Sequence, residues 1–339
     1  MRPFRVLVLP AMLALTLFAC GDDEEEVGPS PNPQSPWTRV LKIGDPSFEM
    51  GFSFSAPNDG WLCVYERVFH YDGHKWSLHT HLGKEMNANA LIDICAPAPN
   101  DVWVGTNGDP DHMFHYDGSS WEITDFGESE AAYDVERLVD LFFLSSDQGW
   151  AACRAVDFIG GGIVFRYDGE EWAALAYVDC VFEEIYFLSA NDGWAYGFDD
   201  NYDRHFFHYD GNDWTEVDLP GPPAEYYEVI KFCGPNDGWL LGRNDITPVL
   251  YHYDGASWSG VACPENMKYA HEGDFLPGGR FWIGGQAGWY FDGERFKRYP
   301  WPYEEEFAIR IYACGENDVW AAADVVPNSL DILHFTGFK

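Results

Sequence analysis

One phrase recurs seven times in this 339-residue chain, and it restricts the fold more than any other feature of the sequence. Its first half reads Asn58-Asp59-Gly60-Trp61, Asn100-Asp101-Val102-Trp103, Asp147-Gln148-Gly149-Trp150 and Asn191-Asp192-Gly193-Trp194. It returns as Asn236-Asp237-Gly238-Trp239, Gly279-Arg280-Phe281-Trp282 and Asn317-Asp318-Val319-Trp320, so the Trp comes back every 38 to 47 residues. A second half keeps pace: Tyr71-Asp72-Gly73, Tyr116-Asp117-Gly118, Tyr167-Asp168-Gly169, Tyr209-Asp210-Gly211 and Tyr253-Asp254-Gly255. Three residues after each Gly stands Trp76, Trp121, Trp172, Trp214 or Trp258. Copy six has Phe291-Asp292-Gly293 with Phe296 in the Trp slot, and copy seven has Phe335-Thr336-Gly337.

A unit of this length with four short apolar runs is the sequence form of a four-stranded propeller blade. In copy four the runs are Ile185 to Leu188, Trp194 to Gly197, Phe206 to Tyr209 and Trp214 to Val217. Asp-Gly before the fourth run is a hairpin turn, since Gly takes positive φ at little cost. The aromatic content, 17% of the chain, suits wedge-shaped gaps between neighbouring sheets. Copy seven lacks a fourth strand, and Trp37-Thr38-Arg39-Val40 is a spare strand with a Trp in the same slot. The expected fold is therefore all-β: a seven-bladed β-propeller of four-stranded blades, with the N-terminal strand closing the last blade and removing the open edges.

The repeat resembles the Asp-box and kelch-like propeller repeats of bacterial secreted lipoproteins, over roughly residues 37 to 339. Asp-box turns carry Ser-x-Asp-x-Gly-x-Thr-Trp, whereas here the turn is Tyr-Asp-Gly-x-x-Trp. The resemblance implies a shared turn and architecture. Some propellers of this kind cleave glycans and others only bind.

The first residues read as an export signal: Arg2 and Arg5, then an apolar stretch from Val6 to Phe18 too short to span a bilayer. Leu17-Phe18-Ala19-Cys20 resembles a lipoprotein cleavage site with Cys20 as the lipidated residue, Phe18 being bulkier than usual there. The expected organisation is a signal peptide over 1–19, an acidic, Pro-rich and extended tether over 20–36, and the propeller over 37–339. This puts the protein in the bacterial cell envelope, held to the membrane only by its lipid, on the outer membrane or cell surface if the cell is Gram-negative. The formal charge of −36, with no basic stripe, argues against nucleic acid as a partner and permits cationic partners, metal ions and neutral glycans.

Function is expected on the face that carries the links between blades and the loops between strands two and three, because those segments vary. The candidate ligand-binding residues there are Tyr133, Glu136, Glu225, Tyr226, Tyr227, Glu228, Tyr269, His271, Trp301, Tyr303, Glu304 and Glu305, with Asp134, Glu183, Glu184, Glu272 and Glu306 beside them. Aromatic faces with carboxylates suit a sugar or a cationic group, while an acidic rim with its aromatics packed on neighbouring blades is the competing reading. Carboxylate pairs would also serve glycoside hydrolysis. The arginines share no clear repeat slot, which disfavours a carboxylate-binding sialidase site. His70, His115, His208, His252 and His334 occupy one repeat slot on five blades and are structural. His79-Thr80-His81 gives a weak metal signal, and Asp199, Asn201 and Asp203 fail as a calcium loop because Arg204 stands at the Gly position. Cys153 with Cys180 is a possible bridge. No catalytic residue, cofactor or metal is assigned. The expected function is a monomeric envelope module that binds a protein or glycan, the alternative being a glycan-cleaving hydrolase or lyase at the central channel.

Overall fold

The computed structural model describes residues 32–44, 50–83, 90–106, 113–126, 135–155, 161–221, 224–303, 306–325 and 329–337. The signal peptide and Cys20 lie outside these residues, as do Tyr133, Asp134, Glu304 and Glu305. The strands form seven antiparallel sheets of four. Six are simple meanders over residues 50–81, 91–124, 135–178, 181–216, 226–261 and 272–299, here blades one to six. Blade seven takes three strands from residues 306–335 and its fourth from Trp37–Gly44. The first strands of successive blades pack side by side, the seventh against the first, so the ring is closed. Among the described residues no helix is long and apolar enough to cross a membrane.

The repeated phrase builds each blade twice over. In the Tyr-Asp-Gly turns the Asp Oδ1 accepts the backbone N–H of the residues two and three further on, as Asp117 does from Ser119 and Ser120 at 2.8 Å each. The Gly that follows has φ between 86° and 99° in blades one to six, which a side chain would resist. In the Asn-Asp-Gly-Trp phrase the Asp bonds the repeat His of strand three: His115 Nε2 lies 2.7 Å from Asp101 Oδ1, and Trp103 Nε1 donates to the same oxygen at 2.8 Å. The imidazole also lies over the indole, with centroids 4.1 Å apart for Trp103 and His115 and 3.7 Å for Trp320 and His334. The same His–Asp bond forms in blades one, four, five and seven.

Seven apolar clusters fill the seven blade junctions. At five of them the strand-two Trp of one blade meets the strand-four Trp of the next edge-on, the geometry that aromatic quadrupoles favour. Trp320 and Trp76 are 5.7 Å apart at 80°, and Trp103 and Trp172 5.7 Å apart at 79°. Trp37 makes the same contact with Trp282, at 5.6 Å and 80°, so it is a strand-four Trp in every respect except chain position. It stands opposite Phe335, and Arg39 stands opposite Leu333. Asn32 and Ser35, counted with the tether in the sequence, bond the link after blade six: Asn32 Nδ2 donates to the Trp301 carbonyl and Ser35 Oγ to that of Pro300 at 2.9 Å.

Cys153 and Cys180 are both buried and form no disulfide, which corrects the expected bridge; none of the seven described cysteines is in one. One first strand is also longer than the apolar run read for it in the sequence. In blade four it spans Val181–Ser189 rather than starting at Ile185, because it carries a bulge between Phe182 and Glu184 that breaks the alternation the sequence shows.

Candidate binding site at the channel and its mouth

The register of the first strands determines what lines the central channel. Opposite the second residue after each repeat Trp stand Gly51, Asp93, Asp140, Glu184, Val229, Glu272 and Arg310. Opposite the Trp itself stand Ser53, Cys95, Phe142, Tyr186, Lys231, Asp274 and Tyr312. With the exception of Gly51, these side chains line a cavity of about 410 Å³. Four carboxyls and one guanidinium thus share one ring, and a Lys–Asp pair sits in the next.

The acids have a structural task. Asp93 Oδ2 accepts the Leu141 N–H at 3.0 Å, Asp140 Oδ2 that of Ile185 at 2.8 Å, and Glu184 Oε2 that of Ile230 at 3.1 Å. Asp274 Oδ2 does the same for Ala313. Each carboxyl therefore stitches its blade to the next. Enclosure disfavours their charge. Burial lifts Asp93 to about 6, against the pull of its backbone hydrogen bonds. Asp140 is raised well above the carboxylate range by burial and then by Asp93. Burial, Asp140 and Glu272 raise Glu184. Burial lifts Glu272 to about 7, although Arg310 Nη1 bonds its Oε2 at 2.8 Å. Burial works against the Lys231 ammonium, but its pairing with Asp274 holds it above the usual lysine value.

On the face of the blade links the channel opens through a second cavity of about 380 Å³, lined by Met50, Glu228, His271, Phe307, Ile309, Arg310 and Asp324. Ion pairs ring this mouth. Arg204 bonds Glu183, Arg243 bonds Glu228, and His271 Nδ1 lies 3.5 Å from Glu228 Oε1. Arg204 and Arg243 both stand over the ring of Tyr226, at 5.2 and 4.2 Å, and that tyrosine remains 41% exposed. Phe307 meets His271 and Tyr269 edge-on at 5.1 and 5.9 Å.

Of the residues singled out from the sequence, the structure brings Tyr226, Glu228, Tyr269 and His271 together at this mouth. Glu225 is beside them, its Oε2 accepting the Asp245 N–H at 2.9 Å. Glu136 is an exposed partner of Arg154 on blade three. Three candidates need correction. Tyr227 points into the junction of blades four and five, packed on Tyr196 and Phe206. Trp301 is buried on Trp37, its Nε1 donating to the Gly285 carbonyl at 2.8 Å. Tyr303 lies against Arg39 on the closing strand of blade seven. Alternation puts every second strand residue into the packed interior, so neighbouring aromatics in a link do not share a surface. Glu183 and Glu184 belong to the first strand and not to a link.

Sequence reasoning missed Asp93, Asp140, Lys231, Asp274 and Arg310. The usable signal was position: each stands opposite the repeat Trp or its second successor. Two of the arginines do share a repeat slot: Arg154 and Arg243 both stand four residues after their repeat Trp. His79 lies in a bulge, its Nδ1 accepting the Trp121 indole N–H, whereas His81 turns to Glu66. Asp199 folds its loop on itself, its Oδ1 accepting the N–H of Asn201 and Asp203.

No family profile and no curated protein sequence matches this chain. Solved structures do match it. YCF48 bound to D1 peptide aligns with a TM-score of 0.63 at 13% identity, over 89% of this chain and 97% of that one. The extracellular domain of the BT4673 one-component system from B. thetaiotaomicron aligns with a TM-score of 0.61 at 12% identity, over 91% of this chain and 40% of that one. The SapL1 lectin in complex with alpha methyl fucoside aligns with a TM-score of 0.51 at 14% identity, over 75% and 96%. At these identities the likeness is one of fold.

Proposed function

We propose that this protein is an exported, lipid-anchored envelope module that acts as a monomer and binds a polypeptide or glycan partner at the mouth of its central channel. The contrast between the two faces carries this reading. On the turn face, Asp-Gly turns satisfy their own polar groups, blade after blade. On the other face an open pocket, an exposed tyrosine and several ion pairs meet at one point. Pockets with an apolar wall and a few convergent polar groups are where ligands bind. The similar structures include one holding a peptide and one holding a fucoside, which is consistent with both partner classes.

Screening the full chain against a glycan array and a displayed peptide library tests the binding reading. Tyr226→Ala and His271→Ala are expected to weaken any ligand found at least fivefold while Glu122→Ala, on blade two, leaves it unchanged; equal binding by all three variants would remove the mouth from the account. Cys20→Ser tests the anchor: the protein is expected to move from the detergent-rich to the aqueous phase on partitioning.

A glycan-cleaving reading draws on one observation, the carboxyls raised to about 6 and about 7 at Asp93 and Glu272, within reach of the role of a general acid. Against it stand the hydrogen bond from Asp93 to the next blade and the ion pair of Glu272. Turnover of aryl glycosides that disappears in Glu272→Gln would favour hydrolysis.

A further inference from the structure

We propose that the occupant of the mouth is a lysine or arginine side chain presented by a polypeptide. This rests on the reading of the mouth as the binding site and names its partner. The pocket is walled on one side by Phe307 and Ile309, half-buried, above Met50. Facing Phe307 across the strand pair is Asp324. Its carboxylate has no ion-pair or hydrogen-bond partner among the described residues, whereas Glu228 is held by Arg243 and Arg310 by Glu272. The pocket therefore offers an apolar wall that ends at a carboxylate which no described residue pairs. A side chain with a methylene stem and a cationic head has that shape and polarity. About 380 Å³ is within the range of pockets that enclose small ligand groups.

A sugar fits less well. The exposed ring best placed to stack on one, Tyr226, already carries two guanidiniums, and Phe307 is met edge-on by His271 and Tyr269. The chain's formal charge of −36 adds long-range attraction for a basic segment.

The test selects random dodecapeptides displayed on phage against the full chain and measures the best binders by calorimetry. Selected peptides are expected to share a Lys or Arg. Replacing that residue by norleucine, which keeps the stem and removes the charge, is expected to weaken binding at least tenfold, and Asp324→Asn at least fivefold with an unchanged melting temperature. Affinity is expected to fall as salt rises from 50 to 500 mM. Equal binding by the norleucine peptide, or selection of peptides without basic residues, would overturn the cation inference and leave the binding mouth standing. Binding of glycans and no peptide would do the same. Peptides or glycans that bind with no sensitivity to Tyr226→Ala, His271→Ala or Asp324→Asn would defeat both.

Discussion

In five blades a single aspartate oxygen holds an imidazole that in turn lies over the repeat Trp. Asp101→Ala removes the acceptor shared by His115 and the Trp103 indole in a half-buried place. It is expected to cost about 1–3 kcal/mol in denaturant unfolding, the usual penalty for stranding buried donors. Burial works against the Asp101 charge, yet its bonds to His115, Ser146 and Trp103 hold it below the ordinary value. Its stabilising contribution is therefore present above the ordinary carboxylate range and is lost as the pH falls through the depressed value. The sequence displayed both partners, each in a constant repeat slot, but not the bond. They stand 14 residues apart on different strands, and only the strand register makes them neighbours. The thiols give a second residue-scale expectation. Burial pushes Cys180, Cys233, Cys263 and Cys314 to about 12 and Cys63 and Cys95 higher still. Iodoacetamide at pH 8 is expected to leave these six unlabelled in the native protein and to modify them after unfolding, as read by intact mass.

The first strand of each blade is the element that the sequence conceals best. Second, third and fourth strands alternate or run apolar as inner and outer sheet residues should, and their turns are punctuated by Asp-Gly. The first strands of blades two, three, four, five and seven carry a bulge next to their channel-facing residue. One extra residue resets the alternation, so Glu183-Glu184 and Tyr226-Tyr227-Glu228 read as polar links when they are strand. In blades two, three and four the bulge also aims a carboxyl into the channel, where burial favours its neutral form. This gives a pH dependence with a definite sign. A carboxyl raised in the folded state binds a proton there that the unfolded chain releases, so stability increases as the pH falls from about 8 toward 5. Asp140→Asn keeps an acceptor for the Ile185 N–H without the charge. It is expected to raise the melting temperature by a few degrees at pH 8 and to change little at pH 5, each pH unit of the raised carboxyl's shift being worth about 1.4 kcal/mol. A stabilisation independent of pH would mean that Asp140 is an ordinary carboxylate.

At the scale of the whole molecule almost everything was legible, because sevenfold repetition turns a weak local signal into a strong one. Blade number, strand order and the closing strand could all be counted. The mouth could not, since it gathers residues from blades one, four, five and seven and from the link before blade six that no period relates. Closure rests on Trp37, which fills the strand-four slot of blade seven between Trp282, Trp301 and Phe335. Trp37→Ala is expected to cost about 3–5 kcal/mol, and truncation before residue 45 to expose the edge of Ser329–Phe335 and cause aggregation, measurable by light scattering. The same join has a consequence in time. Arg39 and Asp331 bond across 292 residues of chain, and bringing such distant points together costs about 5 kcal/mol of loop entropy before any contact repays it. At roughly 5–20 residues per second the earliest strand waits some 15–60 s for a mate that has yet to be synthesised. Until then the ring is an open arc with a tryptophan-bearing loose end, and only Ser329–Phe335 can shut it. A permutant that carries Trp37–Gly44 after residue 339 would let the arc close in order of synthesis.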